Sequence, residues 1–268
     1  MEILKAIILG IIQGLTEFLP VSSSGHLILG GHFLKFHKPD ISFEIILHLG
    51  SLLAVLIYFR KDIQMLLNSL FKFKDKSPKN VNNRKILFYL LIATFVTGII
   101  GYAFSDLFEK MFTTPLVACV MLIVTGIILF ISDIFRNTRL DASQTGIGRS
   151  LLIGLGQSFA IVPGISRSGS TIAIGIFTGL KREQAARFSF LLSIPAILGA
   201  TLLKIDAIIN LESQFIIKYI LGTIFAFISG YLVIAWLIKL VKKQKLKYFS
   251  YYCWLIAIIS GILILTGN

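Results

Sequence analysis

The sequence predicts an all-α integral membrane protein with six transmembrane helices and two re-entrant helix pairs arranged as an inverted repeat. The chain of 268 residues is 56% hydrophobic, with a mean hydropathy of +0.85. It contains several apolar runs of about 18 or more residues, the length that a helix needs to cross a bilayer. Two other regions hold shorter apolar segments on either side of a polar break.

The six predicted spans account for most of the hydrophobic sequence. They lie at about 41–59, 86–104, 115–135, 187–204, 216–238 and 250–267. Both cysteines, Cys119 and Cys253, fall inside such runs, which indicates packing rather than a disulfide or a thiolate metal site. The segment from Met1 to Pro20 has no basic cluster and no small-residue cleavage site, so we expect it to stay in the mature protein.

The two shorter regions are predicted to enter the membrane and return on the same side. They consist of segments 3–19 and 26–37, and of segments 148–162 and 170–180. At 1.5 Å per residue, such helices reach about 17–25 Å, which is less than a hydrocarbon core of about 30 Å. We therefore expect each pair to be re-entrant, with its polar break at the tip.

The two regions also resemble each other in sequence. Gly10-x-x-Gln13 recurs as Gly154-x-x-Gln157, and the run 21–25 recurs without a gap as 165–169. Three predicted spans follow each region, and an odd number of crossings brings the second copy in from the opposite face. We therefore expect an inverted repeat, with 1–135 and 148–267 as its halves and the two tips close together.

Basic residues concentrate in four of the predicted connections. The segments 60–85, 136–149, 181–187 and 239–248 hold most of the 26 lysines and arginines. The positive-inside rule places them in the cytoplasm and opens the first re-entrant pair to the outside. Topology and anionic lipid headgroups thus explain the formal charge of +13, and we expect no nucleic-acid partner. We expect segment 68–85 to be a solvated loop.

The second polar break contains an arginine in hydrophobic surroundings. An ionised side chain at membrane depth costs about 2.5–3.5 kcal/mol and usually has an anionic partner and a function. Glycines let backbone N–H groups turn inward, and a helix that begins here adds partial positive charge. The break is therefore predicted to bind phosphate through Gly164, Ser166, Arg167, Ser168 and Thr171.

The first break carries the complementary groups. Gln13 and Glu17 lie four residues apart on one helix face, and the serines and imidazole that follow are Ser22, Ser23, Ser24 and His26. Once the tips meet, Arg167, the hydroxyls of Ser22 and Ser24 and helix-end N–H groups would hold phosphate oxygens. A serine would attack, and the imidazole or carboxylate would handle protons. A divalent cation, Mg²⁺ or Ca²⁺, would relieve the repulsion between carboxylate and phosphate. His32, His37 and His48 are predicted to be interfacial or packing residues.

The two polar breaks and their flanking residues resemble the sequence motifs of a known family. The segments QGLTEFLPVSSSGH (13–26) and PGISRSGST (163–171) closely resemble the two signatures of bacterial undecaprenyl-diphosphate phosphatases of the bacitracin-resistance type. The resemblance implies a membrane enzyme that removes the terminal phosphate of undecaprenyl diphosphate at the outer face of the bacterial cytoplasmic membrane. That reaction recycles the lipid carrier for peptidoglycan synthesis and confers bacitracin resistance.

The resemblance also implies roles for single residues. The family's acidic motif has Glu or Gln, three residues, then Glu; the Gln variant here leaves one carboxylate, Glu17, and puts metal coordination by Gln13 in question. Ser23 corresponds to the favoured nucleophile, His26 to its proton partner and Arg167 to the phosphate clamp. Spacing alone leaves attack by Ser22 or by water open, and the sequence is compatible with a homodimer.

Two rival functions share part of this pattern. A secondary transporter or flippase for an anionic solute or lipid also uses broken helices that meet at the midplane. Type-2 phosphatidic acid phosphatases share Ser24-Gly25-His26, but the chain lacks their Lys-x6-Arg-Pro and Ser-Arg-x3-His-x3-Asp blocks. The adjacent serine, histidine and glutamate favour the hydrolase.

Overall fold

The computed structural model describes residues 1–36, 41–72, 74–111, 114–135, 138–206, 216–242 and 246–267. These residues form helices α1 (Glu2–Phe18), α2 (Ser23–Phe33), α3 (Ile41–Tyr58), α4 (Arg60–Phe71), α5 (Pro78–Ala103), α6 (Ser105–Met111), α7 (Pro115–Ile134), α8 (Gly146–Phe159), α9 (Arg167–Phe177), α10 (Arg182–Leu203), α11 (Ile216–Lys242) and α12 (Lys247–Thr266). Within these ranges the only β pairing is one isolated bridge, between Leu140 and Leu180. The predicted all-α class is confirmed.

The long helices match the predicted spans. Among the described helices, α5, α7, α10, α11 and α12 are each long and apolar enough to cross a membrane. The pair α3 and α4 bends by 75° at its junction and provides a sixth candidate when the two helices are taken together. The chain is therefore a multi-pass membrane protein. The predicted loop 68–85 is wrong in extent, because α4 continues to Phe71 and α5 already begins at Pro78, a residue favoured in the first turn of a helix.

The two short helix pairs have matching tips. Ser22 caps α2 by accepting a hydrogen bond from the Gly25 N–H at 3.2 Å, and Ser166 caps α9 by accepting one from the Gly169 N–H at 3.0 Å. The hydroxyl of each capping serine also lies 3.2 Å from that of the serine two residues later. These contacts join the same positions that the sequence comparison pairs. They support the predicted repeat, whose opposed insertion in the membrane stays a prediction.

Each short pair rests on a long helix of the other half of the chain. Helix α1 packs against α11, and α8 packs against α5. Both contacts are close at a glycine: a Cβ at Gly10 would lie 2.2 Å from the Gly222 carbonyl oxygen, and one at Gly154 would lie 2.8 Å from the Ala93 carbonyl oxygen. Because the halves interlock in this way, both tips lie inside the molecule.

This packing predicts that Gly10→Ala destabilises the protein. The added methyl group meets backbone, which cannot yield as a flexible side chain does, and overpacking of this kind costs about 1–3 kcal/mol. Thermal unfolding in detergent should show a lower Tm. Gly98→Ala is the matched control, since a Cβ there meets nothing within 4 Å and alanine favours a helix. Equal Tm changes in the two variants would contradict the close approach of α1 and α11.

Candidate active site

The two tips meet through an ion pair and through backbone contacts. Arg167 Nη2 lies 2.5 Å from Glu17 Oε1, which joins the start of α9 to the end of α1. Beside this pair, the Ser168 hydroxyl donates to the Leu19 carbonyl oxygen at 3.0 Å. A Cβ at Gly25 would lie 3.0 Å from the Gly164 Cα, so the two turns touch directly. The predicted meeting of the tips is confirmed.

Glu17 is the centre of the polar group. Its Oε2 accepts hydrogen bonds from the Ser23 hydroxyl at 2.6 Å and from the Gln13 amide nitrogen at 3.0 Å, and His48 Nε2 lies 3.3 Å from it. The Glu17 side chain is only 5% exposed. A buried carboxylate needs such partners, and together with Arg167 they fix its orientation toward the serine.

Ser23 is the serine best placed for attack. It lines the cavity described below, and its hydroxyl already points at a carboxylate oxygen that can accept its proton. The hydroxyl of Ser22 instead caps α2. Ser22 also has a φ of +68°, a left-handed conformation that is uncommon for a residue other than glycine and occurs mostly at functional turns. The geometry favours Ser23 over Ser22 as the nucleophile.

Arg167 is held with one side of its guanidinium toward the cavity. Nη1 donates to the Ser189 carbonyl oxygen at 3.2 Å, and the side chain is 15% exposed. Thr125 fixes the turn before it, because its hydroxyl donates to the Gly164 carbonyl oxygen at 2.8 Å and accepts from the Ser166 N–H at 3.0 Å. The arginine can therefore reach a bound anion from a rigid support.

Three residues of the predicted phosphate cradle have other roles in this structure. The Thr171 hydroxyl bonds to the Ser189 hydroxyl at 2.6 Å and to the Arg167 carbonyl oxygen at 2.8 Å, while Ser168 bonds to the other tip. Gly164 has a φ of +95° and makes the turn. None of the three lines the cavity, whereas Ser166, Arg167 and the serines 22–24 do. Of the five residues predicted to bind phosphate in the second break, only Ser166 and Arg167 line the cavity.

The sequence predicts that His26 faces Ser23, but in the structure it does not. Its Nδ1 lies 2.7 Å from the Ser22 carbonyl oxygen, so it donates there, and Nε2 lies 2.9 Å from the Tyr252 hydroxyl. The His26 and Tyr252 rings stack at 5.6 Å, and neither residue lines the cavity. The reason is the helical rotation of α2, which directs position 26 toward α12. The expected contact between His26 and the nucleophile is wrong for this structure.

His48 is the site residue that sequence reasoning missed. The sequence predicts an interfacial or packing role for it, yet it lines the cavity and contacts Glu17. His32 also lines the cavity, and His37 lies outside the described residues. The sequence did carry a signal: Glu44 and His48 are two ionisable residues four apart in an apolar span, where such residues usually mark a site.

A cavity of about 780 Å³ opens from this polar group. Its floor is formed by Glu17, Ser23 and Arg167, and most of its wall is apolar, with Ile28, Phe36, Ile45, Phe108, Ile165 and Ile197 among the lining residues. The lining extends to the C-terminal ends of α2 and α10 and to the N-terminal ends of α3 and α7. A polar floor under apolar walls suits an amphiphilic ligand with an anionic head.

The predicted divalent cation does not fit the donor set. Both oxygens of Glu17 face hydrogen-bond donors, and Gln13 directs its amide nitrogen, not its oxygen, to that carboxylate. The Gln13 Oε1 is buried without a partner, and Gln13 does not line the cavity. In the part of the chain that the structure describes, no three His, Cys, Asp or Glu side chains form a group that could hold a metal ion. We therefore derive no step through a protein-bound cation.

Comparison with known proteins finds similarity over nearly the whole chain. Residues 6–259 match the family model described as bacitracin resistance protein BacA. An undecaprenyl-diphosphatase of Methanobrevibacter smithii is 43% identical over 97% of this chain and 96% of its own length. The undecaprenyl-diphosphatase of Halothermothrix orenii is 43% identical over 100% and 99%, and undecaprenyl-diphosphatase 1 of Shouchella clausii is 42% identical over 98% and 96%. The chain belongs to the BacA family of bacitracin resistance proteins.

Proposed function

We propose that this protein hydrolyses undecaprenyl diphosphate to undecaprenyl phosphate and inorganic phosphate, and so returns the lipid carrier to cell-wall synthesis and confers bacitracin resistance. The observation that carries the proposal is the contact of the Ser23 hydroxyl with Glu17 Oε2 at 2.6 Å, beside Arg167 at the floor of an apolar cavity. Relatives more than 40% identical along nearly their whole length carry the name of this activity.

The first chemical step transfers the terminal phosphoryl group to Ser23. Arg167 binds the non-bridging oxygens of that group and stabilises the charge that develops on them. The Ser23 oxygen forms a bond to phosphorus while Glu17 Oε2 takes the hydroxyl proton, and the bond from phosphorus to the bridging oxygen breaks. The leaving undecaprenyl phosphate takes the proton from Glu17, which restores the carboxylate.

The second step hydrolyses the phosphoserine. Glu17 takes a proton from a water molecule as the water oxygen attacks phosphorus, and the bond to Ser23 breaks. The serine oxygen recovers the proton from Glu17, and inorganic phosphate leaves. The same carboxylate thus acts as base in both halves of the reaction, and its position at 2.6 Å from the serine suits both.

The apolar wall of the cavity supports a lipid diphosphate over a soluble one. A free diphosphate would fill only the polar floor, whereas the first isoprene units of a polyprenyl chain can lie along Ile28, Ile45 and Ile197. Each buried CH₂ group contributes about 0.8 kcal/mol. A carrier of anionic solutes needs an arginine and helix ends, but it has no use for a serine held on a carboxylate.

We place the protein in the cytoplasmic membrane with the cavity open to the outer face. Two observations support this orientation. The cavity lining includes Ser105, Phe108 and Leu203, which lie within or next to the predicted connections 105–114 and 205–215, whose sequences contain four acidic residues and a single lysine. Arg182, which pairs with Asp133 at 2.9 Å, and Arg187, which pairs with Asp62 at 3.1 Å, lie at the opposite helix ends, where the positive-inside rule expects the cytoplasm.

A divalent cation, Mg²⁺ or Ca²⁺, remains part of the proposal as a partner of the substrate. Such an ion would enter on the diphosphate oxygens, since Mg²⁺ in particular often binds through substrate phosphates and keeps several waters. When bound it would supply positive charge to the diphosphate group of the substrate.

Purified protein mixed with undecaprenyl diphosphate tests the proposed hydrolysis and the proposed role of the divalent cation. We expect release of one inorganic phosphate per lipid, with undecaprenyl phosphate as the other product. A chelator should lower the rate, and either Mg²⁺ or Ca²⁺ should restore it. Vesicles in which the intact lipid crosses the membrane without phosphate release would contradict the hydrolase and favour transport.

A further inference from the structure

His48 bridges two elements at the floor of the cavity. Its Nδ1 lies 2.7 Å from the Glu44 carbonyl oxygen on its own helix, α3, and its Nε2 lies 3.3 Å from Glu17 Oε2 on α1. The side chain is 27% exposed, which reflects its place on the cavity wall. The ring therefore reaches the reaction centre with both nitrogens engaged.

The hydrogen-bond partners decide what each nitrogen must do. A carbonyl oxygen only accepts, so Nδ1 carries a hydrogen and donates it to Glu44. Glu17 Oε2 also accepts, from Ser23 and Gln13, so an Nε2 without hydrogen would set two lone pairs against each other at 3.3 Å. The contact is favourable only when Nε2–H donates to the carboxylate.

The surroundings of His48 strengthen this arrangement. The Ser51 hydroxyl donates to the His48 carbonyl oxygen at 2.9 Å, and the Gln13 amide lies 3.4 Å from the same hydroxyl. Gln13, Glu17, His48 and Ser51 thus form one connected network between α1 and α3. The network ties the backbone of α3 at His48 to the Glu17 carboxylate on α1.

We infer that His48 is a positioning residue that acts through Glu17 by holding the carboxylate on Ser23 while Arg167 binds the phosphate. In the ligand-free arrangement, Arg167 is bonded to Glu17. When the terminal phosphate draws the guanidinium away, Glu17 loses that partner, and the donor on His48 keeps Oε2 directed at the serine hydroxyl. The inference rests on the proposed function and names a residue that the family motifs in this chain do not include.

Two substitutions at one position test the inference. His48→Leu removes the donor and keeps an apolar side chain, so kcat for phosphate release should fall about 10- to 100-fold, the fold-change typical of losing a hydrogen bond to a charged group. KM should change less than threefold, because the inferred role of His48 is to hold Glu17, whereas phosphate binding is assigned to Arg167. His48→Gln retains an N–H donor toward Glu17 and should keep kcat within about fivefold of the unsubstituted protein.

Folding controls and a double variant complete the test of the role of His48. Thermal unfolding and gel filtration in detergent establish that both variants fold. Equal losses in two folded variants would overturn the donor role, as would a His48→Leu variant with unchanged kcat. In a Glu17→Gln background, His48→Leu should cost no further activity, and an additive loss would contradict action through Glu17. Unsubstituted protein that releases no phosphate would instead refute the proposed function, and this inference with it.

Discussion

Replacing Arg167 by alanine should lower kcat/KM for phosphate release by about 1,000-fold or more. The guanidinium pairs with Glu17 beside Ser23, and it lines the cavity with its side chain only 15% exposed. Removing a single preorganised donor from a site of this kind costs about 100- to 1,000-fold, and a charged donor costs more because its field is weakly screened there. Initial rates with undecaprenyl diphosphate in detergent measure the effect.

Arg167→Lys separates charge from shape. Lysine keeps the positive charge but cannot bind two oxygens side by side, so we expect a loss smaller than that of alanine and still at least about tenfold. Arg60→Ala is the control, because that arginine is exposed at the start of α4 and bonds only to the Ile57 carbonyl oxygen among its described contacts. An Arg167→Ala variant that folds and keeps near-normal turnover would remove the phosphate clamp from the mechanism.

Replacing Ser23 by alanine should have a still larger effect, about 10,000-fold on kcat. The variant loses the atom that forms the covalent intermediate, and loss of a nucleophile in comparable hydrolases leaves only the catalysis that comes from binding and charge stabilisation. Product formation over hours, followed by phosphate detection, is sensitive enough for this measurement.

Ser22→Ala is the comparison for Ser23→Ala. The Ser22 hydroxyl caps α2, so its removal should cost about 0.5–2 kcal/mol of stability and be observed mainly as a lower Tm. If Ser23→Ala kept kcat within tenfold while a folded Ser22→Ala variant lost it, the nucleophile would be Ser22. If both retained activity, water would be the attacking group.

The sequence was sufficient for features that follow from periodicity and composition. Span positions followed from apolar length, and the meeting of Glu17 with Arg167 followed from two broken pairs that recur with the same serine and glycine positions. The prediction of a loop over 68–85 was wrong in extent because its lysines and asparagines are typical of solvated segments. Charged residues also occur where a membrane helix extends beyond the lipid. Pro78, at the first turn of α5, was the available signal.

The directions of the side chains at the site could not be predicted from the sequence. His26 follows the serine run, so its spacing allowed contact with Ser23, but the Tyr252 hydroxyl on α12 lies close enough to pair with it. No local pattern shows such a distant neighbour. His48 was missed for the opposite reason: its partner Glu17 lies on another helix, and only the packing of α1 against α3 brings them together.

The stereochemical course at phosphorus tests the central claim, attack by Ser23 on a phosphate held by Arg167, most directly. Undecaprenyl diphosphate with a terminal thiophosphate made chiral by oxygen isotopes would be hydrolysed by purified protein, and the configuration of the released thiophosphate determined. Two in-line displacements, first by serine and then by water, predict retention. Inversion would show a single displacement by water and would contradict the phosphoserine mechanism.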